Sequence, residues 1–251
     1  MDVLYDQMSV FRFKRFNVVN EHSAMKVNTD GVLLGAAMTI SPDDRRLLDV
    51  GTGTGTIALM AAQRLAYLQP DLEDAVVEAI DIDEPSVEEA AVNFKASPWS
   101  GHLKVYGLSL HDFTKKQSGK YDLIFSNPPY FEDSLTAPDE RKSSARHASD
   151  GLSYRDILEF AQERLSDEGR VSFILPADME AALARYARMC GLHLFRILRI
   201  RTVPRKSPCR IVAEFARTRC AEPLEQILTI QNEGKYTQEY LSLTRDFYLF
   251  A

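Results

Sequence analysis

From Leu47 onward the chain alternates short apolar runs with amphipathic stretches, and this alternation restricts the fold more than any other feature. The pattern predicts strands over Leu47–Val50, Val76–Asp81, Leu103–Leu108, Asp122–Ser126 and Val171–Leu175. It predicts helices over Gly55–Leu68, Glu84–Ala96, Ser153–Leu165 and Asp178–Cys190. Such alternation implies a parallel sheet with right-handed crossovers and helices on both faces. The runs Leu192–Val203, Arg210–Ala216 and Gln226–Ile230 predict late strands and an antiparallel edge, and Gln238–Asp246 a closing helix. Ahead of all this, residues 9–20 read as a strand or hairpin and residues 29–39 as a short helix capped by Thr29 or Asp30. The expected fold class is therefore α/β, mostly parallel. At 251 residues one domain over 1–251 suffices, with 1–46 as an N-terminal strand and helix extension.

In open sheets of this kind ligands bind beyond the carboxyl ends of the strands. Asp49, Asp81 and Asn127 all fall there. The first crossing, Asp49-Val50-Gly51-Thr52-Gly53-Thr54-Gly55, lets the backbone turn tightly and approach a ligand closely at Gly51, Gly53 and Gly55. The helix that follows turns its free N–H groups to the same crevice. A dinucleotide fingerprint would read G-x-G-x-x-G, but the last position of that pattern is Thr56, and an acid precedes the first glycine. A pyrophosphate is repelled by that carboxylate, whereas a ligand bearing a cation is not. The pattern thus favours S-adenosyl-L-methionine over a nicotinamide cofactor. Asp81, closing the next strand, stands where a carboxylate accepts hydrogen bonds from ribose hydroxyls, while Asp83 reads as a helix cap. A third contact, beside the adenine ring, is expected near Ser109 and Leu110.

The strand Asp122–Ser126 runs into Asn127-Pro128-Pro129-Tyr130. Neither proline can donate to a ladder, so the chain leaves the sheet here. An Asn held at a strand's end, with prolines behind it and an aromatic ring beside it, suits a planar amine. That points to methyl transfer onto the amino group of a base or an amide. The stretch 131–150 follows directly and holds few apolar residues. A loop of that length suggests a substrate-gripping or lid role.

Composition adds bounds on the setting. Cys190, Cys209 and Cys220 show neither metal spacing nor an even-numbered disulfide framework, so no metal and a reducing, cytoplasmic setting are expected. No basic-then-apolar leader opens the chain, and no apolar run approaches the ~20 residues of a membrane span. Net charge is −6, which alone argues mildly against nucleic acid. Its distribution argues the other way. Residues 188–219 carry nine basic side chains against one acid, Glu214, and further clusters are Arg12, Lys14 and Arg15, and Arg141, Lys142, Arg146 and His147. A polyanionic substrate is expected.

Taken together, the glycine turn, Asp81 and the Asn-Pro-Pro-Tyr turn are similar to class I S-adenosylmethionine-dependent methyltransferases that act on amino nitrogens. The segments Phe11–Phe16 and Met25-Lys26-Val27-Asn28-Thr29-Asp30-Gly31-Val32-Leu33-Leu34-Gly35 resemble a narrower bacterial family, which methylates N6 of adenine 37 in tRNA1(Val). Arg146-His147 and the ending Thr244–Leu249 share that resemblance, which spans nearly the whole chain. One position departs from it: many members carry an acid after the third strand, where this chain has Ser109, with Asp112 three residues on.

The resemblance implies a Rossmann-like class I methyltransferase sheet, S-adenosylmethionine as cofactor and tRNA as substrate; a monomer is expected. It implies that the side-chain oxygen of Asn127 and the carbonyl of Pro128 accept hydrogen bonds from the adenine amine, with Pro129 completing the turn and Tyr130 stacking on the base. Lys26, Thr29 and Asp30 would cover the methionine end of the cofactor, and Ser109, or else Asp112, would contact its adenine. Arg146 would clamp a phosphate or the substrate, and the basic stretch itself makes Arg205, Lys206 and Arg210 the expected RNA contacts. The rival substrates are a protein glutamine amide and a DNA or ribosomal RNA base. Against the glutamine enzymes, the 46 residues before the first strand are too few and too strand-like for their longer helical N-terminal domain.

Overall fold

The computed structural model describes residues 9–69, 74–129 and 151–251. An N-terminal hairpin of β1 (Val10–Arg12) and β2 (Asn17–Val19) precedes α1 (Thr29–Ala37). Then follow β3 (Arg46–Val50), α2 (Thr56–Leu68), β4 (Val76–Asp81), α3 (Glu84–Ala96), β5 (Leu103–Gly107), α4 (Leu110–Lys116) and β6 (Tyr121–Ser126). The rest comprises α5 (Tyr154–Arg164), β7 (Leu165–Pro176), α6 (Glu180–Met189), β8 (His193–Arg201), β9 (Arg210–Ala216), β10 (Leu224–Thr229), a small hairpin of β11 (Gln231–Asn232) and β12 (Lys235–Tyr236), and α7 (Gln238–Thr244).

Eight strands form one sheet in the order β10-β8-β9-β7-β6-β3-β4-β5. All neighbours pair in parallel except β9, which runs antiparallel to both β7 and β8. The antiparallel strand therefore stands inside the sheet, and the edge beyond it is β10, parallel to β8. The two faces are read directly from strand alternation. Leu47, Val77, Ala79, Leu123 and Phe125 join the core under α1 and α2. Leu48, Val50, Ile80 and Ile124 join the core under α5 and α6.

Two expected boundaries moved for identifiable reasons. The cap of α1 is Asn28, extended at φ −137°, whose side chain accepts from the Gly31 N–H; Thr29 and Asp30 already lie in the first turn. Strand β7 begins at Leu165, before Gly169, because its register against β6 slips between Tyr121 and Leu123. A Cβ at Gly169 would sit 2.8 Å from the Tyr121 carbonyl, so a glycine is what permits that slip.

Candidate active site

The carboxyl ends of β3, β4 and β6 meet at one crevice. Leaving β3, the Gly51 and Thr52 N–H groups both donate to the Ile80 carbonyl, at 2.9 and 3.0 Å. Gly53 N–H donates to Asp81 Oδ2 at 2.8 Å. Gly51, Gly53 and Gly55 take φ of 74°, 54° and 79°, the left-handed region that favours glycine. At Gly55 space is also decisive, since a Cβ there would stand 2.5 Å from the Phe94 ring. Helix α2 then begins without a side-chain cap.

Beneath the turn lies Asp49, fully buried. Its Oδ2 accepts from the Thr52 hydroxyl at 2.7 Å, and its Oδ1 has no partner. Burial pushes this carboxyl up to about 7; the nearby charge of Asp81 adds to the effect and the Thr52 hydroxyl opposes it. Asp81 also takes the Asp83 N–H on Oδ1 at 3.0 Å, and Asp83 caps α3 through the Ser86 N–H.

From the other side, β6 ends with Ser126, whose hydroxyl donates to the Val50 carbonyl at 2.6 Å and ties β6 to β3. Asn127 follows, 7% exposed, with its side-chain N–H 3.6 Å from the sulfur of Met25. The segment bearing Met25 closes the crevice from above. Glu89 holds it, accepting from the N–H groups of Glu21, His22 and Ser23 at 2.6, 2.7 and 3.0 Å. Ser86 meets Ser23 hydroxyl to hydroxyl at 2.8 Å. Asn93 brackets the Val19 backbone and donates to the Thr54 carbonyl at 2.9 Å, joining the hairpin to the glycine turn. Met25, Lys26, Asn28, the glycine turn and Asn127 thus line one narrow cleft.

The cleft fits S-adenosylmethionine. Gly51 and Gly53 line the cleft without Cβ atoms, and Asp49 beneath the turn keeps one buried oxygen without a hydrogen-bond partner, which suits a cation.

The expected residues divide. Gly51, Gly53 and Asn127 line the cleft, whereas Asp49, Gly55 and Asp81 surround the turn outside that lining, Asp49 bonded to Thr52 and Asp81 to the Gly53 N–H. Lys26 lines the cleft, but its ammonium donates to the carbonyls of Asn20 and Glu21 and braces the covering segment. Thr29 and Asp30 stand off the cleft, and Asp30 pairs with Arg210 at 2.8 Å. Ser109 and Asp112 form one unit: the Ser109 hydroxyl accepts from the Asp112 N–H at 3.0 Å and donates to its carboxylate at 2.9 Å. Tyr130, Arg146 and the stretch 131–150 lie outside the described residues.

The basic stretch is largely consumed within the fold. Arg196 reaches buried Glu214 at 2.6 Å, Arg199 sits between Glu180 and Glu225 at 2.6 and 2.8 Å, and Arg201 donates to Thr229 at 2.8 Å. Arg217 donates to the Gln162 carbonyl at 2.7 Å, and Arg210 holds Asp30. Cations on central strands require partners when buried, which a count of charges along the sequence does not register. Arg188, Arg205, Lys206 and Arg219 remain exposed.

Met25, Asn28, Ser86, Glu89 and Asn93 were not foreseen. A signal existed for three of them: Ser86, Glu89 and Asn93 share one face of α3 at spacings of three and four, a polar stripe that reads by default as solvated. Among the described residues no group of His, Cys, Asp or Glu could hold a metal, and no helix is long and apolar enough to cross a membrane.

Residues 16–184 match the family model of the methyltransferase small domain. The chain is similar to a protein of Parabacteroides distasonis named tRNA1(Val) (adenine(37)-N6)-methyltransferase, with 40% identity over 240 residues, 95% of this chain and 97% of that one. A protein of the same name from Flavobacterium johnsoniae is 36% identical over 241 residues, 96% of this chain and 99% of the other. Among solved structures, a predicted O-methyltransferase from Agrobacterium tumefaciens shares the fold at a TM-score of 0.61 and 18% identity, over 86% of this chain and 95% of its own.

Proposed function

The chain belongs to the methyltransferase small domain family and, within it, to the tRNA1(Val) (adenine(37)-N6)-methyltransferases, and from that premise we propose that the Asn127-Pro128-Pro129 turn receives N6 of adenine 37. The protein is an S-adenosylmethionine-dependent tRNA (adenine-N6)-methyltransferase. The observation that carries the assignment of the turn is the position of Asn127, buried at the carboxyl end of β6 and facing the glycine turn across one cleft.

S-adenosylmethionine supplies an electrophilic methyl group on a sulfonium. Asp81 would take the ribose hydroxyls, the Gly51–Gly55 turn the main chain of the ligand, Asp49 its cationic end, and the Ser109–Asp112 unit its adenine. Lys26 supports this end indirectly, by bracing the segment that covers it.

The chemical problem is the adenine amine, whose lone pair is delocalised into the ring. Asn127 and the Pro128 carbonyl offer two acceptors to the NH2 group, which turn the lone pair out of the ring plane. They also stabilise the positive charge that grows as the nitrogen becomes tetrahedral. No strong base is needed, because the methylated amine is acidic and gives up its proton late. Extruding the base from its stack costs a few kcal/mol, offset by phosphate contacts from exposed cations such as Arg205 and Lys206. We read residues 1–251 as one domain, which the eight-stranded sheet supports, and the protein as a cytoplasmic monomer.

Mass spectrometry of tRNA1(Val) from a strain lacking the protein tests this function. Loss of one N6-methyladenosine at position 37, restored by the wild-type protein, is expected; an unchanged modification pattern would refute it.

A further inference from the structure

A second opening lies at the same, carboxyl end of the sheet. It is a groove of about 320 Å³ between the carboxyl ends of β8 and β10, walled on the far side by β11 and the start of α7. Arg201 is held at its edge by two bonds, from Nε to the Thr229 hydroxyl at 2.8 Å and from Nη1 to the Pro204 carbonyl at 2.9 Å. A guanidinium fixed in this way presents its remaining donors in one direction. Arg205 and Lys206 stand exposed on the turn that Pro204 begins, and no acid occurs from Arg201 to Ala213. Lys235, also exposed, pairs across the hairpin with Asn232, which lines the groove. Thr229 and Asn232 add uncharged polar groups of the kind that meet ribose and phosphate oxygens, while the Thr237 hydroxyl is spent on the Thr229 carbonyl and the Tyr240 N–H. One acid, Glu239, lies on the far wall. The floor includes Ile227, 60% exposed.

We propose that this groove seats the RNA backbone beside the target adenine and is the second anchor of the tRNA. The inference rests on the tRNA-methylation reading above and adds a place and a distance to it. In the strand order β10-β8-β9-β7-β6, β8 is three strands from β6 and β10 is four. At ~4.8 Å per strand the groove lies about 14–19 Å from the strand carrying Asn127. That separation matches about four to six stacked nucleotides at ~3.4 Å each. The anchored phosphates would thus belong to the stem side of the anticodon arm, not to the flipped nucleotide.

Ile227 makes the test clean, because it is exposed and neither donates nor accepts a side-chain hydrogen bond. I227E places a negative charge on the groove floor and I227K a positive one. Binding of an unmodified anticodon-arm RNA is read by fluorescence anisotropy, and S-adenosylmethionine binding by calorimetry. I227E should weaken RNA binding about fivefold, I227K should tighten it, and E239K should tighten it as well. Cofactor affinity should stay within about twofold in all three. RNA affinities unchanged by both substitutions at Ile227, or shifted in the same direction by both, would overturn the proposal. Methyl transfer by the wild-type protein, measured on the same RNA, separates the two levels: its absence refutes the substrate reading, whereas normal transfer with insensitive variants refutes the groove alone.

Discussion

The side-chain N–H of Asn127 points at the sulfur of Met25 across 3.6 Å, though 102 positions separate them in sequence. A thioether has lone pairs and no proton, so only the NH2 corner of the amide can face it. The Oδ1 corner is thereby turned the other way, the orientation that an acceptor for an amine requires. The N-terminal segment is thus a wall of the active site, and its anchoring becomes a catalytic matter.

The anchor is Glu89. Replacing it with Ala strips the acceptor from three backbone N–H groups, each costing about 1–3 kcal/mol where it stays buried. Glu89→Ala should lower unfolding stability by a few kcal/mol in total and loosen the segment over the cofactor. Cofactor affinity should then fall more than RNA affinity, with Glu89→Gln intermediate. Urea titration and calorimetry measure both; equal losses for the two ligands would remove the segment from the cofactor site.

Gly55 combines a φ of 79° with a Cβ position 2.5 Å from Phe94. Gly55→Ala should destabilise by about 2 kcal/mol or more, from backbone strain and overpacking together. Phe94→Leu in the same chain should recover the overpacking part and leave the strain. A double variant no more stable than Gly55→Ala would show that the ring contact is immaterial.

Asp49 gives the molecule a pH dependence. Its folded pKa of about 7 lies above the ordinary carboxyl value of ~3.9. Between those values the folded state keeps a proton that the unfolded chain has released. Its contribution to stability is therefore fully present below about pH 4 and is lost as pH rises through about 7. Asp49→Asn should flatten this slope and be the more stable protein at pH 8. A cationic ligand favours the carboxylate, so S-adenosylmethionine should bind more tightly above pH 7 than at pH 6, with proton uptake by buffer, and Asp49→Asn should show neither effect. Calorimetry in buffers of different ionisation enthalpy reads the proton directly.

Exposed and paired cations should behave differently. Replacing Arg205 and Lys206 together by Ala should weaken tRNA binding and reduce its salt dependence, with a slope change of roughly 0.7–0.9 per lost phosphate contact, while cofactor binding is unaffected. Arg210→Ala removes one ion pair from Asp30 in the first turn of α1, beside Asn28 on the cleft wall, and should weaken cofactor binding too. If Arg210→Ala resembled the double variant, its pairing with Asp30 would be without consequence.

Much of this was legible in the sequence, and the residues show why. Val76–Asp81, Glu84–Ala96 and Arg210–Ala216 formed where periodicity placed them, because alternation and caps are local signals. The glycine turn and the places of Asp81 and Asn127 at strand ends were readable because tight turns and strand ends impose residue types. Charge partners were not, since Arg210 finds Asp30 across 180 positions and Arg196 finds Glu214 across a strand pair. Nor was the role of α3, whose polar stripe looks solvated until β2 and the glycine turn are packed on it.

The central claim concerns Asn127. Single-turnover methylation of an unmodified tRNA1(Val) transcript, with mass spectrometry of adenine 37 and calorimetry of S-adenosylmethionine, tests it most directly. Wild-type protein should add one methyl group at that adenine. Asn127→Ala should lose at least about 10²-fold in rate and keep cofactor affinity within about twofold. Wild-type turnover by Asn127→Ala would contradict the account.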